Sequence, residues 1–414
     1  MRIESLYLKN IGPFLEANLD FIGSSDKTPV TIITGENGTG KTIVLDAIRA
    51  IILGLSSKLQ RNIVREKEDF QIDLFLNNGQ LPIRLFSDTI TSDDTKFKQN
   101  EISARRNRNT IFGDDFGFKF SDTNKGKDIW ITNYWTSKIS NEKLELKSLT
   151  ALDPKNYLIG SLDGEQSNVE VLKIITYFDY LKSSDNPKEK KEGEFLFETL
   201  KKIIKLSLFE GEFRYVERKT LMPIVSQNGF EVSLDKLSSG NLYLIQRLVT
   251  LLGQMYSVYT LNNLKLEEML ITPGLLLIDE AENHLHPKWQ KTFLKSILEI
   301  FPNLQIIVTT HSPFIVSSVE NARVYVCKSM KDHSVVVDET DLYANMPIEE
   351  ILSSPIFETL SFNETISKLI EERKIAIEAG DLEKSHKLEE KLKEINPEYF
   401  SYFDVNKLLE SIAG

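Results

Sequence analysis

Apolar and polar residues alternate from Ile3 to Leu8 and again from Leu15 to Phe21, with Gly12-Pro13 between them. A period of two on either side of a Gly-Pro break predicts two strands joined by a short turn. Val30 to Ile33 then reads as a short buried strand, and Ile43 to Leu53 carries apolar residues at helical spacing, so a strand, a glycine loop and a helix follow one another. Phe70 to Leu76 and Leu81 to Phe86 flank Asn77-Asn78-Gly79, a hairpin signal. Asp88 to Lys127 is polar, charged and irregular, and reads as an insertion. Helical periodicity returns over Gln166 to Leu181 and Phe195 to Leu208, with Ser183 to Gly193 read as a charged linker.

The second half begins with a predicted hairpin of Phe213 to Glu217 and Phe230 to Leu234 around Gln227-Asn228-Gly229. A helix from Asn241 to Tyr256 follows, so residues 166–256 make up a helical subdomain. Leu275 to Ile278 is an apolar strand, Trp289 to Ile300 a helix, Gln305 to Thr309 a strand, Pro313 to Ser318 a short helix and Arg323 to Cys327 a strand. Strands alternating with helices indicate a largely parallel α/β sheet. From Asn363 onward Ile366, Leu369, Ile370, Ile375 and Ile377, then Leu382, Leu388, Leu392 and Ile395, are spaced among dense charge with Gly380-Asp381 between the two groups. That pattern predicts a helical hairpin. The division expected is a head over residues 1–335 and a helical tail over 336–414. The tail either docks a partner or a neighbouring copy, or caps the core.

Composition narrows this picture. With 414 residues, 41% of them apolar, the chain can bury one large core or two smaller ones. Its net charge of -11 argues against a surface that coats itself with nucleic acid, though a local basic groove stays open. Lys96, Lys98, Arg105, Arg106 and Arg108 are either such DNA contacts or a solvated loop. The single cysteine, Cys327, excludes an internal disulfide framework and reads as core. No stretch has the length and apolarity of a membrane span or a secretory signal, so the cytoplasm is the expected compartment and no membrane partner is expected.

Four segments carry chemistry. Gly35-Glu36-Asn37-Gly38-Thr39-Gly40-Lys41-Thr42 lies between a predicted strand and a predicted helix. Its glycines let successive amides turn toward phosphate oxygens, and the helix N-terminus adds partial positive charge. Lys41 supplies a cation to the outer phosphates of ATP, and the Thr42 hydroxyl is placed to ligate Mg2+. Gly274 to Ile278 runs into Asp279 and Glu280, adjacent acids at the end of a buried strand, a costly arrangement unless they are used or paired. Asp279 is expected to help hold Mg2+ and Glu280 to polarise the attacking water. Ile306 to Thr309 leads to His311 at what should be the same carboxyl edge of the sheet, where ligands bind; His311 can donate to the terminal phosphate. Leu237-Ser238-Ser239-Gly240-Asn241 opens a long helix and is either a plain cap or a second phosphate contact. The pair His284 and His286 suggests zinc, but no third ligand lies close in sequence.

These segments in this order resemble the ABC-type ATPase heads of the SMC, RecF and OLD-like group, over roughly Met1 to Lys328. The resemblance implies an α/β P-loop NTPase head with an antiparallel β subdomain and a helical signature subdomain, to which the spacing pattern adds the C-terminal helical hairpin. It makes Gly35 to Thr42 the Walker A loop, Asp279 and Glu280 the end of Walker B, His311 the switch histidine and Ala281 to Pro287 the D-loop. It makes Leu237 to Asn241 the signature, which in the group binds a γ-phosphate held by the partner subunit. ATP-dependent pairing of two copies, or a higher homo-oligomer, is therefore implied. Ser-Ser-Gly-Asn departs from the commoner Ser-Gly-Gly-Gln, and the Q-loop glutamine is not evident, with Gln71 and Gln99 as weak candidates. There is no sustained heptad run, and the tail is too short for a Toprim nuclease. The chain most resembles the stand-alone ATPases of bacterial anti-phage systems of the Septu and retron-associated types. These imply an ATPase that senses or regulates, working with a separately encoded effector, often an HNH nuclease. A RecF-like clamp acting directly on DNA is the alternative.

Overall fold

In the computed structural model β1 (Arg2–Ile11) and β2 (Phe14–Asp20) form the hairpin that the alternation predicts, with Leu6 opposite Leu19 and Leu8 opposite Ala17 on the buried face. The structure describes residues 1–22, 29–53, 70–77, 82–88, 103–106, 130–138, 140, 142–165, 167–208, 211–354, 357 and 364–400. The turn residues Asn78 and Gly79, Gln99, and the basic residues Lys96, Lys98 and Arg108 lie outside them.

The chain divides into two units, Met1–Ile348 and Glu349–Gly414. The first therefore runs past the boundary expected near 335. The reason is a strand the sequence pattern did not suggest, Ser334–Asp338, which pairs antiparallel with the Arg323–Ser329 strand and so belongs to the head.

One eleven-stranded sheet organises this unit. Beyond β1 and β2 it contains β3 (Val30–Gly35), β4 (Gln71–Asn77), β5 (Pro82–Asp88), β6 (Ser103–Arg106) and β7 (Ile131–Trp135). A separate three-stranded sheet is formed by β8 (Gly211–Glu217), β9 (Met222–Gln227) and β10 (Phe230–Ser233). The large sheet is completed by β11 (Gly274–Ile278), β12 (Leu304–Thr309), β13 (Arg323–Ser329) and β14 (Ser334–Asp338). Its order is β6-β5-β4-β1-β2-β14-β13-β3-β12-β11-β7. The run β13-β3-β12-β11-β7 is parallel throughout, whereas β1, β2, β4, β5 and β6 pair antiparallel. Every residue of β3, β11 and β12 is buried, which is why these strands read as unbroken apolar runs and not as alternation.

Helix α1 (Lys41–Leu53) packs Val44, Leu45, Ile48 and Ile51 into a core shared with β1, β2 and β4. Helices α2 (Asn168–Lys182), α3 (Pro187–Ser207) and α4 (Ser239–Asn262) form the helical subdomain. The expected linker from Ser183 to Gly193 is mostly helix. Asn186 caps α3 by accepting from the Lys188 amide, Pro187 opens it, and only the short turn before them connects the helices. Gly193 sits where a Cβ would lie 2.1 Å from the Lys182 backbone nitrogen, so it is there for close helix contact, not as a break.

Three other expectations are corrected. The hairpin around Gln227-Asn228-Gly229 joins β9 to β10, and β8 pairs with β9, so the segment is a meander of three strands. The helix expected from Trp289 is split into a turn at Pro287–Gln290 and helix α5 (Phe293–Ile300). Within the 88–127 segment, Ser103–Arg106 is a strand, with Leu85 opposite Arg106.

The second unit contains α6 (Glu364–Glu378) and α7 (Leu382–Ile395), turned by Gly380 at φ +74° and capped by Asp381, whose carboxylate accepts from the Lys384 amide at 3.0 Å. Ile366, Leu392 and Phe400 are its buried apolar centre, and Arg373 binds Glu389 at 2.8 Å across the helix pair.

Candidate nucleotide site

The phosphate loop leaves β3 with three residues that only glycine satisfies cheaply. Gly35, Gly38 and Gly40 have φ of +136°, +78° and +99°. A Cβ on Gly35 would lie 2.2 Å from the Cys327 carbonyl oxygen, and one on Gly40 would meet Pro13 and Phe14 at under 3 Å. Gly38 differs, since nothing stands within 4 Å of the space its Cβ would fill. Glu36, Asn37 and Gly38 are exposed while Thr39 and Lys41 are buried, so the crest of the loop is open to solvent. Thr39 Oγ1 donates to the Glu36 carbonyl at 2.8 Å, and Lys41 Nζ donates to the carbonyls of Gly35 at 3.0 Å and Glu36 at 2.7 Å. Burial pushes the Lys41 pKa down, against the pull of Cys327, Glu282, Glu280 and Asp279.

The acids arrive from β11, two strands away. Thr42 Oγ1 donates to Asp279 Oδ1 at 2.9 Å and Thr309 Oγ1 donates to the same oxygen at 2.7 Å. The Asp279 amide donates to the Trp135 carbonyl at 2.9 Å, extending the β7–β11 pairing by one residue. Burial raises the Asp279 pKa, and the two threonine hydroxyls oppose that rise. Glu280 has φ +51°, and its amide donates to Thr309 Oγ1 at 2.8 Å. Its carboxylate accepts from Asn283 Nδ2 at 2.5 Å.

His311 stands at the end of β12, between the loop and the acids in strand order. Its backbone amide donates to Glu282 Oε1 at 2.8 Å, and Thr310 Oγ1 donates to Glu282 Oε2 at 2.6 Å. Burial, then the charge of Lys41, depresses the His311 pKa and so favours the neutral imidazole, with one nitrogen to donate and one to accept.

Ser238, Ser239 and Gly240 open α4. Ser238 caps the helix, its hydroxyl accepting from the Asn241 amide at 3.4 Å. Gly240 is buried against the segment that follows the acids in the same chain: a Cβ there would lie 2.2 Å from the His284 carbonyl oxygen. The His284 ring bonds the Ser137 carbonyl at 2.7 Å, and His286 caps the turn that follows it, accepting from the Lys288 amide. Among the described residues no group of three or more His, Cys, Asp or Glu is arranged to hold a metal ion.

Two contributors were given no role of their own by the sequence. Strand β7 lines the acid strand, and its end is held by α4: buried Arg247 donates to the Thr136 carbonyl at 3.0 Å, and Tyr243 OH donates to that same carbonyl at 3.0 Å. The run of aromatic and β-branched residues from Trp130 to Trp135 is the signal that could have found it. Glu282 had no spacing signal at all. Of the Q-loop candidates, Gln71 lies on β4 opposite Lys9 and bonds Asp73, on the antiparallel side of the sheet.

Hard oxygen donors at Thr42 and Asp279, a cation at Lys41 and an exposed glycine-rich loop crest at the head of α1 fit a magnesium nucleotide. This parallel sheet, with its phosphate loop and acid strand separated by the histidine strand, defines a P-loop ATPase head of the ABC type. The sequence pattern described as "AAA domain, putative AbiEii toxin, Type IV TA system" matches residues 30–317, and the chain belongs to that family. "Retron Vc95 probable ATPase" of Vibrio cholerae serotype O1 biovar El Tor is 23% identical over 80% of this chain and 74% of that protein. "Retron Ec83 probable ATPase" of Escherichia coli is 25% identical over 80% and 72%. "Septu protein PtuA" of Bacillus thuringiensis is 24% identical over 76% and 73%. Among solved structures, the SMC head domain from Thermotoga maritima aligns with a TM-score of 0.47 at 17% identity, over 82% of this chain and 99% of that one. Among the described residues no helix is long and apolar enough to cross a membrane.

Proposed function

We propose that this chain is the ATPase of an anti-phage defence complex, a sensor or regulator that pairs with a second copy around two Mg-ATP molecules and thereby controls a separately encoded effector nuclease. The observation that carries the ATPase part is the junction of Thr42, Asp279 and Thr309 at one carboxylate oxygen, which ties the phosphate loop to the acid strand at the point where a nucleotide-bound Mg2+ would sit. The names of the retron and Septu relatives support the defence setting.

In this reading the loop amides and Lys41 would bind the phosphates, and Thr42 and Asp279 would hold a Mg2+ ion, whose chemistry would be to neutralise charge on the phosphate oxygens. Glu280, oriented by Asn283, orders and polarises the attacking water. Neutral His311 donates to the terminal phosphate. Ser238, Ser239 and Gly240 reach the nucleotide of the neighbouring copy.

Purified protein mixed with ATP and Mg2+ should release phosphate, and Glu280→Gln should cut that rate by about a hundredfold or more while leaving ATP binding in place. The mass of the Glu280→Gln protein in solution should double when ATP is added, and a nuclease encoded beside it should co-purify. A variant that hydrolyses ATP normally would remove Glu280 from the mechanism; a protein that stays monomeric with ATP would remove the pairing.

A further inference from the structure

The segment after the acid pair does more than turn the chain. Asn283 holds the Glu280 carboxylate at 2.5 Å, and one residue earlier Glu282 spends both carboxylate oxygens on the segment that carries His311. Oε1 accepts the His311 amide and Oε2 accepts the Thr310 hydroxyl. The hold is reinforced from behind. Buried Gln290 donates to the Leu285 carbonyl at 2.8 Å and to the Glu282 carbonyl at 3.3 Å, while its own carbonyl accepts from Ser312 Oγ at 2.6 Å. Residues 310–312 are thus gripped at three consecutive positions by residues 282 and 290.

The grip is on backbone and on neighbouring hydroxyls, not on the imidazole. Among the described residues the His311 ring makes no hydrogen bond, yet it lies within electrostatic reach of Lys41 and the acids. A ring held this way is aimed by its main chain and left with both nitrogens available. A half-buried carboxylate that accepts two short hydrogen bonds is also a stiff anchor, because charge-assisted bonds are shorter and stronger than neutral ones.

We infer that Glu282 is the positioning residue for His311: its carboxylate fixes the main chain at Thr310 and His311 so that the imidazole meets the terminal phosphate, and it touches no reacting atom itself. The inference rests on the reading of His311 given above. It also makes residues 280–283 one short element that sets the water-activating acid through Asn283 and the phosphate donor through Glu282.

Single-turnover hydrolysis of ATP with enzyme in excess, read together with binding of a fluorescent ATP analogue and with the melting temperature, tests it. Glu282→Ala should slow hydrolysis by about tenfold or more with analogue affinity changed by less than about twofold, since misplaced groups cost rate before they cost binding. Glu282→Gln keeps an acceptor for the His311 amide and a polar partner for Thr310, and should restore the rate. In a His311→Ala background Glu282→Ala should cost nothing further, because it acts through the imidazole. If Glu282→Ala does not fold, Thr310→Val removes one of the two holds and should give the same rate loss and the same silence in His311→Ala. A normal rate in Glu282→Ala, or an undiminished loss in the His311→Ala background, overturns the inference while leaving the ATPase reading in place. A wild type with no hydrolysis, or one unaffected by His311→Ala, overturns the reading of His311 and this inference with it.

Discussion

Thr42 and Asp279 are 237 positions apart in the chain and 2.9 Å apart in the structure, joined through a hydroxyl and a carboxylate oxygen that Thr309 also binds. Asp279 is held ionised at a cost, since burial raises its pKa above 3.8. That cost is absent at pH well below 3.8 and grows as the pH rises through the raised folded-state value. Asp279→Asn keeps an acceptor for both threonines and removes the charge. It should raise the melting temperature without nucleotide and abolish the further rise that Mg-ATP gives the wild type; thermal melts with and without Mg-ATP check both halves.

His311 has the opposite relation to acid. Its folded-state pKa lies below 6.5, so protonation is resisted in the folded protein and welcomed in the unfolded chain. Its contribution to stability is complete above about pH 6.5 and is lost as the pH falls through the lower folded value. His311→Gln should therefore lose less stability than wild type between pH 7.5 and 5.5, measured as the shift in urea midpoint.

Gly240 poses a contest between two known effects. Alanine favours helix over glycine by about 1 kcal/mol in a helix interior. Here a Cβ would stand 2.2 Å from the His284 carbonyl oxygen, a backbone atom that cannot swing aside. The clash should win, and Gly240→Ala should lose about 1–3 kcal/mol, the usual cost of overpacking, seen in denaturant unfolding.

Arg247 is 1% exposed and donates to the carbonyls of Thr136, Lys138 and Gly164. Lysine presents a single ammonium where the guanidinium spans several acceptors. Arg247→Lys should cost about 1–3 kcal/mol through carbonyls left unpaired, and should loosen the end of β7. Amide hydrogen exchange at residues 134–138 faster than wild type, beyond any global change, is the expected signature.

The parts of the fold that could be read from sequence were those with one dominant cause. β3, β11 and β12 are buried on both faces, so their apolar runs carry no ambiguity, and the phosphate loop is announced by glycines that its backbone needs. β14 was not legible because Val335 and Val336 are only partly buried, Val337 is exposed, and they stand beside charge. The start of α3 was misread because its first turns are Lys and Glu, although Asn186-Pro187 is a cap followed by the residue that best opens a helix. Glu282 was not legible either: its partners are a hydroxyl and a backbone amide near residue 310, brought there by β11 and β12 lying side by side.

Strand β3 is bordered by β12 on one side and β13 on the other, both drawn from residues 304–329. During synthesis, then, the strand that launches the phosphate loop has no sheet neighbour until residues 304–309 have been made. Pairing over such separations is slow, because the closure entropy of the intervening chain must be met before the contact returns anything. A chain stopped short of residues 304–309 therefore leaves β3 unpaired and lacks the Thr309 hydroxyl that binds Asp279.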